Sequence, residues 1–208
     1  MRFVLFVEGH TERMAIPAFL KRWLDPRTSQ PVGIRPVRFN GWAQMMKEMP
    51  KKAVMYLNGP TAHEIIAVIG LLDLYGPTIY PQDLKSAEER LSWAVEELQD
   101  SVEQARFRVF FAVHEVEAWL LSDPGLFPSP IASALAGKAR HPEEVNFDHP
   151  PSELLDRLYR EKTGHTYKKV THGKELFDRL DPNLAYGKCP RLKAMLDEML
   201  NMAKAAGL

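Results

Sequence analysis

Apolar and polar positions along the 208-residue chain follow two rhythms. RFVLFV (Arg2 to Val7), the apolar run in EIIAVIGLLDLYG (Glu64 to Gly76) and RFRVFFAV (Arg106 to Val113) are short, β-branched and aromatic stretches. They fit strands buried on both faces. GIRPVRFN is read as a further strand. Between these runs, apolar residues recur at helical spacing. Ile16, Phe19, Leu20 and Trp23 follow the first strand, with Thr11 as a cap and Pro17 either in the first turn or at a kink. WAQMMKEMPKKAVMYL reads as a helix with a break at Pro50. Ser86 and Glu89 form an S-x-x-E capping box ahead of Leu91, Ala94, Val95 and Leu98.

After Asp123-Pro124 the pattern becomes helical and rich in proline. Helices are predicted to start near Pro130, Ser152, Thr171 and Pro190, the last with Leu192, Met195, Leu196 and Met199 on one stripe. Alternation of strand and helix followed by a helical tail predicts an α/β fold with a mostly parallel central sheet flanked by helices, and a helical C-terminal region. Residues 1–124 would form the α/β core and residues 125–208 an extension packed on it, within one structural domain.

Composition adds few constraints. With 45% apolar residues, and 27 basic against 27 acidic side chains, bulk charge identifies no partner. The charge is somewhat segregated. Arg157 to Lys174 holds six Lys or Arg against Glu161, and Gln82 to Glu103 holds seven acids against Lys85 and Arg90, both compatible with solvated helix faces. Cys189 is the single cysteine, which excludes an internal disulfide and a cysteine framework for zinc. A reducing, cytoplasmic setting is expected, with no membrane span and no signal peptide in the N-terminal run.

The strongest chemical signal is where the apolar runs stop. Parallel strands point their carboxyl ends to one sheet edge, where ligands bind in such folds. Glu8, Asp73 and Glu117 all follow strand candidates, and Glu12 lies one helical turn beyond Glu8. Each acid has a local explanation, as a favourable charge at a helix N-terminus or as a turn cap. Three at strand exits suggest instead a cluster whose mutual repulsion a divalent cation relieves, and oxygen donors favour Mg²⁺ or Mn²⁺. His114-Glu115-Val116-Glu117 lacks the second histidine of a zinc helix. Gly9 is read as the tight turn between Glu8 and Glu12.

VEGHTERMAIPAFL resembles the opening motif of Toprim domains, most closely the VEG-x-TE form of OLD-family nucleases, and LLDLYG stands where Toprim domains carry D-x-D. VHEVEAWLLSDP, HPEEVN, PPSELL, YKKVTHG and CP-x-L resemble, in that order, the motifs of domain-of-unknown-function family 4276. The resemblance implies a Toprim-like Rossmannoid fold with Mg²⁺ or Mn²⁺ held by Glu8, Glu12 and Asp73. Glu117 matches an acid in the F-E-x-W-L-L segment of RloB-type proteins and is preferred to Glu115. Tyr75 occupies the second position of D-x-D and removes a customary ligand, for which Glu115 or Glu12 could substitute.

The implied activity is metal-dependent cleavage of phosphodiesters in DNA or RNA, in defence against foreign nucleic acid and beside an AAA or ABC-type ATPase partner. The chain has no G-x-x-x-x-G-K-[ST] loop to supply that ATPase itself. Lys169 in YKKVTHG matches a family lysine and, with Glu8, is the expected catalytic residue. Lys168, Lys169 and Lys174 are expected to bind nucleic acid, although solvated helix-terminal charge explains them equally well. His172 could act as an acid or base but, as an isolated histidine, suits a structural place better. The alternative is a non-catalytic Toprim-fold sensor or regulatory module, favoured by Tyr75. Primase or topoisomerase activity is disfavoured by the short chain. Met45, Met46, Met49 and Met55 read as core or interface filler and the four tryptophans as packed; Asn146 and Ser152 lie in family-like motifs without a role.

Overall fold

The computed structural model describes residues 1–144 and 150–208. Four strands, β1 (Arg2–Val7), β2 (Gly33–Arg38), β3 (Ile65–Asp73) and β4 (Phe107–Ala112), form one parallel sheet in the order β2-β1-β3-β4. Helix α1 (His10–Leu24) connects β1 to β2, α2 (Trp42–Asn58) leads to β3, and α3 (Ala87–Asp100) leads to β4. The tail comprises α4 (Glu117–Leu120), α5 (Ser129–Leu135), α6 (Pro151–Thr163), α7 (Lys169–Arg179), α8 (Pro182–Lys188) and α9 (Pro190–Ala205).

The two-residue period of β1 divides the core. Phe3, Leu5 and Val7 face a cluster with Ile16, Phe19, Trp119, Phe177 and Leu196, while Val4 and Phe6 face Met45, Met49, Leu72 and Phe111. Helices cover both faces, so β1 and β3 carry no polar stripe until they end. Burial of each of these large side chains contributes roughly 1.5–3 kcal/mol. The first cluster joins β-strand residues to residues of α5 through α9, so the helical tail shares a core with the sheet. On the edge strand β2, Pro36 is tolerated because that strand pairs on one side.

Several local expectations change. Thr11 is a buried residue inside α1, and Gly9 is the N-cap without a side-chain hydrogen bond. Pro17 lies beyond the first turn of α1, and α2 continues through Pro50, whose neighbours Met45, Met49, Ala53 and Leu57 form a continuous buried stripe. Packing of that stripe outweighs the lost backbone bond. Met55 is not core filler, being 60% exposed. The capping box at Ser86 and Glu89 is present. Helix α7 begins at Lys169, near Thr171 as expected, and α8 is a separate helix capped by Asp181, whose side chain accepts from the Asn183 N–H.

The C-terminal ends of α1 and α7 are tied together. Arg22 donates to the carbonyls of Phe177 and Leu180 at 2.6 and 2.9 Å and also to that of Asp178, satisfying the last carbonyls of α7. Toward the other end of the pair, Gly173 of α7 lies against Thr11 in the first turn of α1.

Candidate functional site

At the carboxyl edge of the sheet, Glu8 follows β1 directly and Asp73 is the last residue of β3. Glu8 Oε1 accepts from the Asp73 N–H at 2.9 Å, which closes the gap between the two inner strands. Asp73 Oδ1 in turn accepts from the Val116 N–H at 3.1 Å, so the chain leaving β4 is anchored to β3. That anchor brings in the other two acids. Glu115 lies in the connection after β4, and Glu117 is the first residue of α4, so the latter reaches the site from a short helix beyond the strand rather than from the strand end itself.

Lys169, at the start of α7, occupies the middle of the cluster. Its Nζ stands 3.1 Å from Glu117 Oε2, 3.4 Å from Glu115 Oε1 and 3.7 Å from Asp73 Oδ2. Glu115 Oε2 is held separately by the Ser152 N–H at 2.9 Å, at the start of α6, which gives Ser152 a backbone role. Glu12, in the first turn of α1, is buried, and its Oε2 has no hydrogen-bond partner among the described residues.

Gly9 is a glycine for a reason other than the expected turn. Its backbone is extended, with φ −125°, a conformation open to any residue. A Cβ at that position would stand 2.4 Å from Glu12 Oε2. The missing side chain is therefore space for the Glu12 carboxylate.

Electrostatics follow from five carboxylates facing one ammonium. Burial, opposed by the Asp73 N–H and reinforced by the charge of Glu12, raises the Glu8 pKa to about 7. Glu117 is likewise pushed to about 7, chiefly by burial, with Lys169 pulling against it. Burial also raises Asp73 well above the usual carboxylate range. For Lys169, burial works to lower the pKa, and the charges of Asp73, Glu117, Glu115 and Glu12 overcome it, so the ammonium stays protonated.

Among the described residues, no three Asp, Glu, His or Cys side chains form a group ready to hold a metal ion. The donor chemistry nevertheless fits a hard cation. All the donors are carboxylate oxygens, Glu12 Oε2 and Glu117 Oε1 have no hydrogen-bond partner among the described residues, and a single ammonium is shared by Asp73, Glu115 and Glu117. Withdrawal of Lys169 would free Asp73, Glu115 and Glu117 together.

The remaining candidates lie outside this cluster. Lys174 pairs with Asp178 at 2.6 Å on the exposed side of α7, and Lys168 is the N-cap residue of that helix, its N–H bonded to His172 Nδ1 at 3.0 Å. His172 stacks on Tyr159 with ring centroids 5.4 Å apart, a structural place. Tyr75 follows β3 and donates its N–H to the His114 carbonyl at 2.8 Å. Asn146 lies outside the described residues. Two buried polar positions escaped the sequence reading. Tyr167, two residues ahead of Lys169, buries a hydroxyl without a partner among the described residues, and Glu143 of the HPEEVN motif caps α9 by accepting from the Arg191 and Leu192 N–H groups at 2.8 and 3.3 Å. For Tyr167 its place in YKKVTHG was the available signal; nothing in the sequence linked Glu143 to Pro190.

No helix among the described residues is long and apolar enough to cross a membrane. No curated protein matches the chain. Among solved structures, the C-terminal region of the Burkholderia pseudomallei OLD protein is similar, with 21% identity and a TM-score of 0.47 over 98% of each chain. The C-terminal region of the Xanthomonas campestris pv. campestris OLD protein is similar at 18% identity and a TM-score of 0.46, covering 99% of this chain and 95% of that one. A family profile described as "Domain of unknown function (DUF4276)" matches residues 7–200.

Proposed function

The chain belongs to the DUF4276 family, and from that premise we propose that it is a Toprim-like nuclease, hydrolysing phosphodiesters of DNA or RNA with Mg²⁺ or Mn²⁺. The observation that carries the reading is the gathering of Asp73, Glu115 and Glu117 around Lys169, with Glu8 bonded to Asp73 and Glu12 buried alongside. A purely structural core has little use for so many buried acids, because each costs several kcal/mol to remove from water and one ammonium cannot compensate them all. Perturbed, clustered acids are what a catalytic site requires.

In this reading Glu8, Glu12, Asp73 and Glu117 would hold the cation, with Glu115 as a further donor. The cation would polarise the phosphoryl group and lower the pKa of an attacking water. The protein's own groups supply orientation and charge. The Asp73 N–H fixes Glu8, and the Val116 N–H fixes Asp73, so neither carboxylate needs to reorganise. Lys169 remains protonated and offers its ammonium to the negative charge that grows on the phosphoryl oxygens. Glu115, held by Ser152, keeps that ammonium within reach of the site. A role in defence against foreign nucleic acid, an ATPase partner and a cytoplasmic location complete the proposal.

A second reading has its own observation. Lys169 already sits where a cation would be shared, so the chain serves equally as a metal-free Toprim-fold sensor or regulatory module in which lysine is the permanent counter-ion. Incubation of purified protein with labelled DNA and RNA, in Mg²⁺, Mn²⁺ or EDTA, separates the two. Metal-dependent cleavage that is lost in Glu8→Ala and Asp73→Ala supports the nuclease. Absence of cleavage, with no heat of metal binding by calorimetry, overturns it in favour of the module.

A further inference from the structure

The two edges of the sheet are finished differently. An edge strand presents a row of unpaired N–H and C=O groups. On β2 that row is interrupted by Pro36, which has no N–H to offer. β4, at the opposite edge, carries no proline, and its hydrogen-bonding groups alternate in direction. Its even-numbered residues serve β3: the Val68 N–H donates to the Arg106 carbonyl and the Leu74 N–H to the Ala112 carbonyl, both at 2.9 Å. The odd-numbered residues therefore turn their N–H and C=O groups away from the sheet.

The first of these outward groups are taken by a stand-in for a strand. The Gln99 side chain, from α3, donates from Nε2 to the Phe107 carbonyl at 2.7 Å and accepts at Oε1 from the Val109 N–H at 3.2 Å. Its amide thus makes the two bonds that one residue of a parallel neighbouring strand would make. One rung further the edge is open. The Val109 C=O and the Phe111 N–H make no hydrogen bond among the described residues, while both residues are 4% exposed. Backbone groups so placed are rarely left without a partner.

A cleft of about 450 Å³ lies along this rung, between α3 and α9. Leu91, Val95, Val109, Phe111 and Ala194 give it an apolar lining. Its rim on α3 is acidic. Glu96 and Asp100 stand there with no ion pair among the described residues, while Glu88 is bound by Arg191 from α9. The acid-rich run from Gln82 to Glu103, which the nuclease chemistry leaves unused, has its place at this groove.

We propose that the β4 edge is a docking site for an extended segment of a partner protein, apolar at its centre and flanked by Lys or Arg, which adds to the sheet beside Phe111. The segment's backbone supplies an acceptor for the Phe111 N–H and a donor for the Val109 C=O. Its apolar side chains enter the cleft, and its cations meet Glu96 and Asp100. A second copy of this chain is a poorer occupant, because two β4 edges brought together would each present a Gln99 side chain to the rung the other needs. None of these groups belongs to the acid cluster, so the docking site is independent of the nuclease reading.

The test uses the full chain and a fluorescein-labelled heptapeptide, Lys-Lys-Val-Ile-Val-Lys-Lys, followed by anisotropy. Binding with a Kd of about 10–100 μM is expected. It should weaken at least about tenfold when the central residues of the peptide are N-methylated, when each lysine is replaced by glutamate, or when the protein carries Glu96→Lys with Asp100→Lys. Both acids are exposed, so that variant should melt as wild type does. Ser92→Trp, at another exposed position of the lining, should block the cleft. In isotope-labelled protein followed by NMR, saturating peptide should slow hydrogen exchange of the Phe111 amide at least about tenfold and leave the Val109 amide, already bonded to Gln99, unchanged. Binding that survives N-methylation without slowing Phe111 exchange overturns the proposal, as does the absence of binding up to about 1 mM peptide. Dimerisation of the wild-type chain in sedimentation, abolished by Ser92→Trp, would give the groove to a second copy and overturn it as well.

Discussion

Lys169 Nζ stands 3.1 Å from Glu117 Oε2, and the carboxylate it meets has no exposed surface. The Lys169 side chain as a whole is 35% exposed. One member of the pair thus lies wholly in the core, while the other belongs to a side chain partly open to solvent. Removing one member of a buried ion pair leaves an uncompensated charge, a loss of about 3–5 kcal/mol that the partial exposure of Lys169 reduces. Lys169→Met is expected to melt at least about 5 °C below wild type in EDTA. It is also expected to bind Mn²⁺ more tightly, because the competing ammonium is gone, while losing cleavage. Calorimetric titration and thermal melts check both; weaker Mn²⁺ binding would mean that lysine and metal do not share the acids.

Glu143 provides the contrast of a buried acid with a structural task. Its carboxylate caps α9 through two N–H groups, and burial raises its pKa while those bonds lower it. Glu143→Ala is expected to cost about 1–2 kcal/mol, the loss of a helix cap and of two buried bonds. Metal affinity should stay at the wild-type level. A melt paired with a Mn²⁺ titration tests the separation, and a tenfold loss of affinity would place Glu143 within the site.

What was legible in the sequence was what depends on neighbours in the chain. RFVLFV and EIIAVIGLLD give away β1 and β3 because each is apolar on both faces, RFRVFFAV gives away β4 by its β-branched and aromatic residues, and the acids at Glu8 and Asp73 stand out because they end such apolar runs. Lys169 needed the motif, since nothing local separates it from Lys168; only the packing of α7 on α1 turns one inward and leaves the other at the cap. Thr11 and Pro50 misled because capping and helix-breaking preferences of about 1–3 kcal/mol yield to the packing of a whole helix face. Glu143 was illegible because its partners are about fifty residues away in the chain.

Acid pH is expected to stabilise the metal-free protein. Glu8 and Glu117 titrate near 7 when folded, against an ordinary value of 4.5, so between those limits the folded chain binds more protons than the unfolded one. Their contribution is complete below about 4.5 and is lost as pH rises through about 7. In EDTA stability, and the melting temperature with it, should therefore fall between pH about 5 and about 8, by up to about 5 kcal/mol for the two acids together. Glu117→Gln should flatten the slope, and Mg²⁺ should restore most stability at the alkaline end. A wild-type slope of opposite sign would show that these acids stay ionised throughout.

Gly9→Ala separates a turn from a carboxylate pocket. If glycine were needed for its backbone, alanine would strain the junction of β1 and α1 and lower stability. The observed φ of −125° and ψ of −177° suit alanine, and what a Cβ meets is Glu12 Oε2 at 2.4 Å, the far end of a flexible side chain. The variant is therefore expected to melt within about 0.5 kcal/mol of wild type, since Glu12 can move aside and the unfolded chain loses some freedom. Metal affinity should fall about tenfold, because a ligand carboxylate has been displaced from its place beside Glu8 and Asp73. Restoring the space by a second change, Glu12→Asp, should recover part of that affinity in the Gly9→Ala background while weakening binding in wild type. Mn²⁺ titration of the four proteins gives the comparison. Strong destabilisation with unchanged affinity in Gly9→Ala would return the glycine to a turn and remove Glu12 from the proposed ligands.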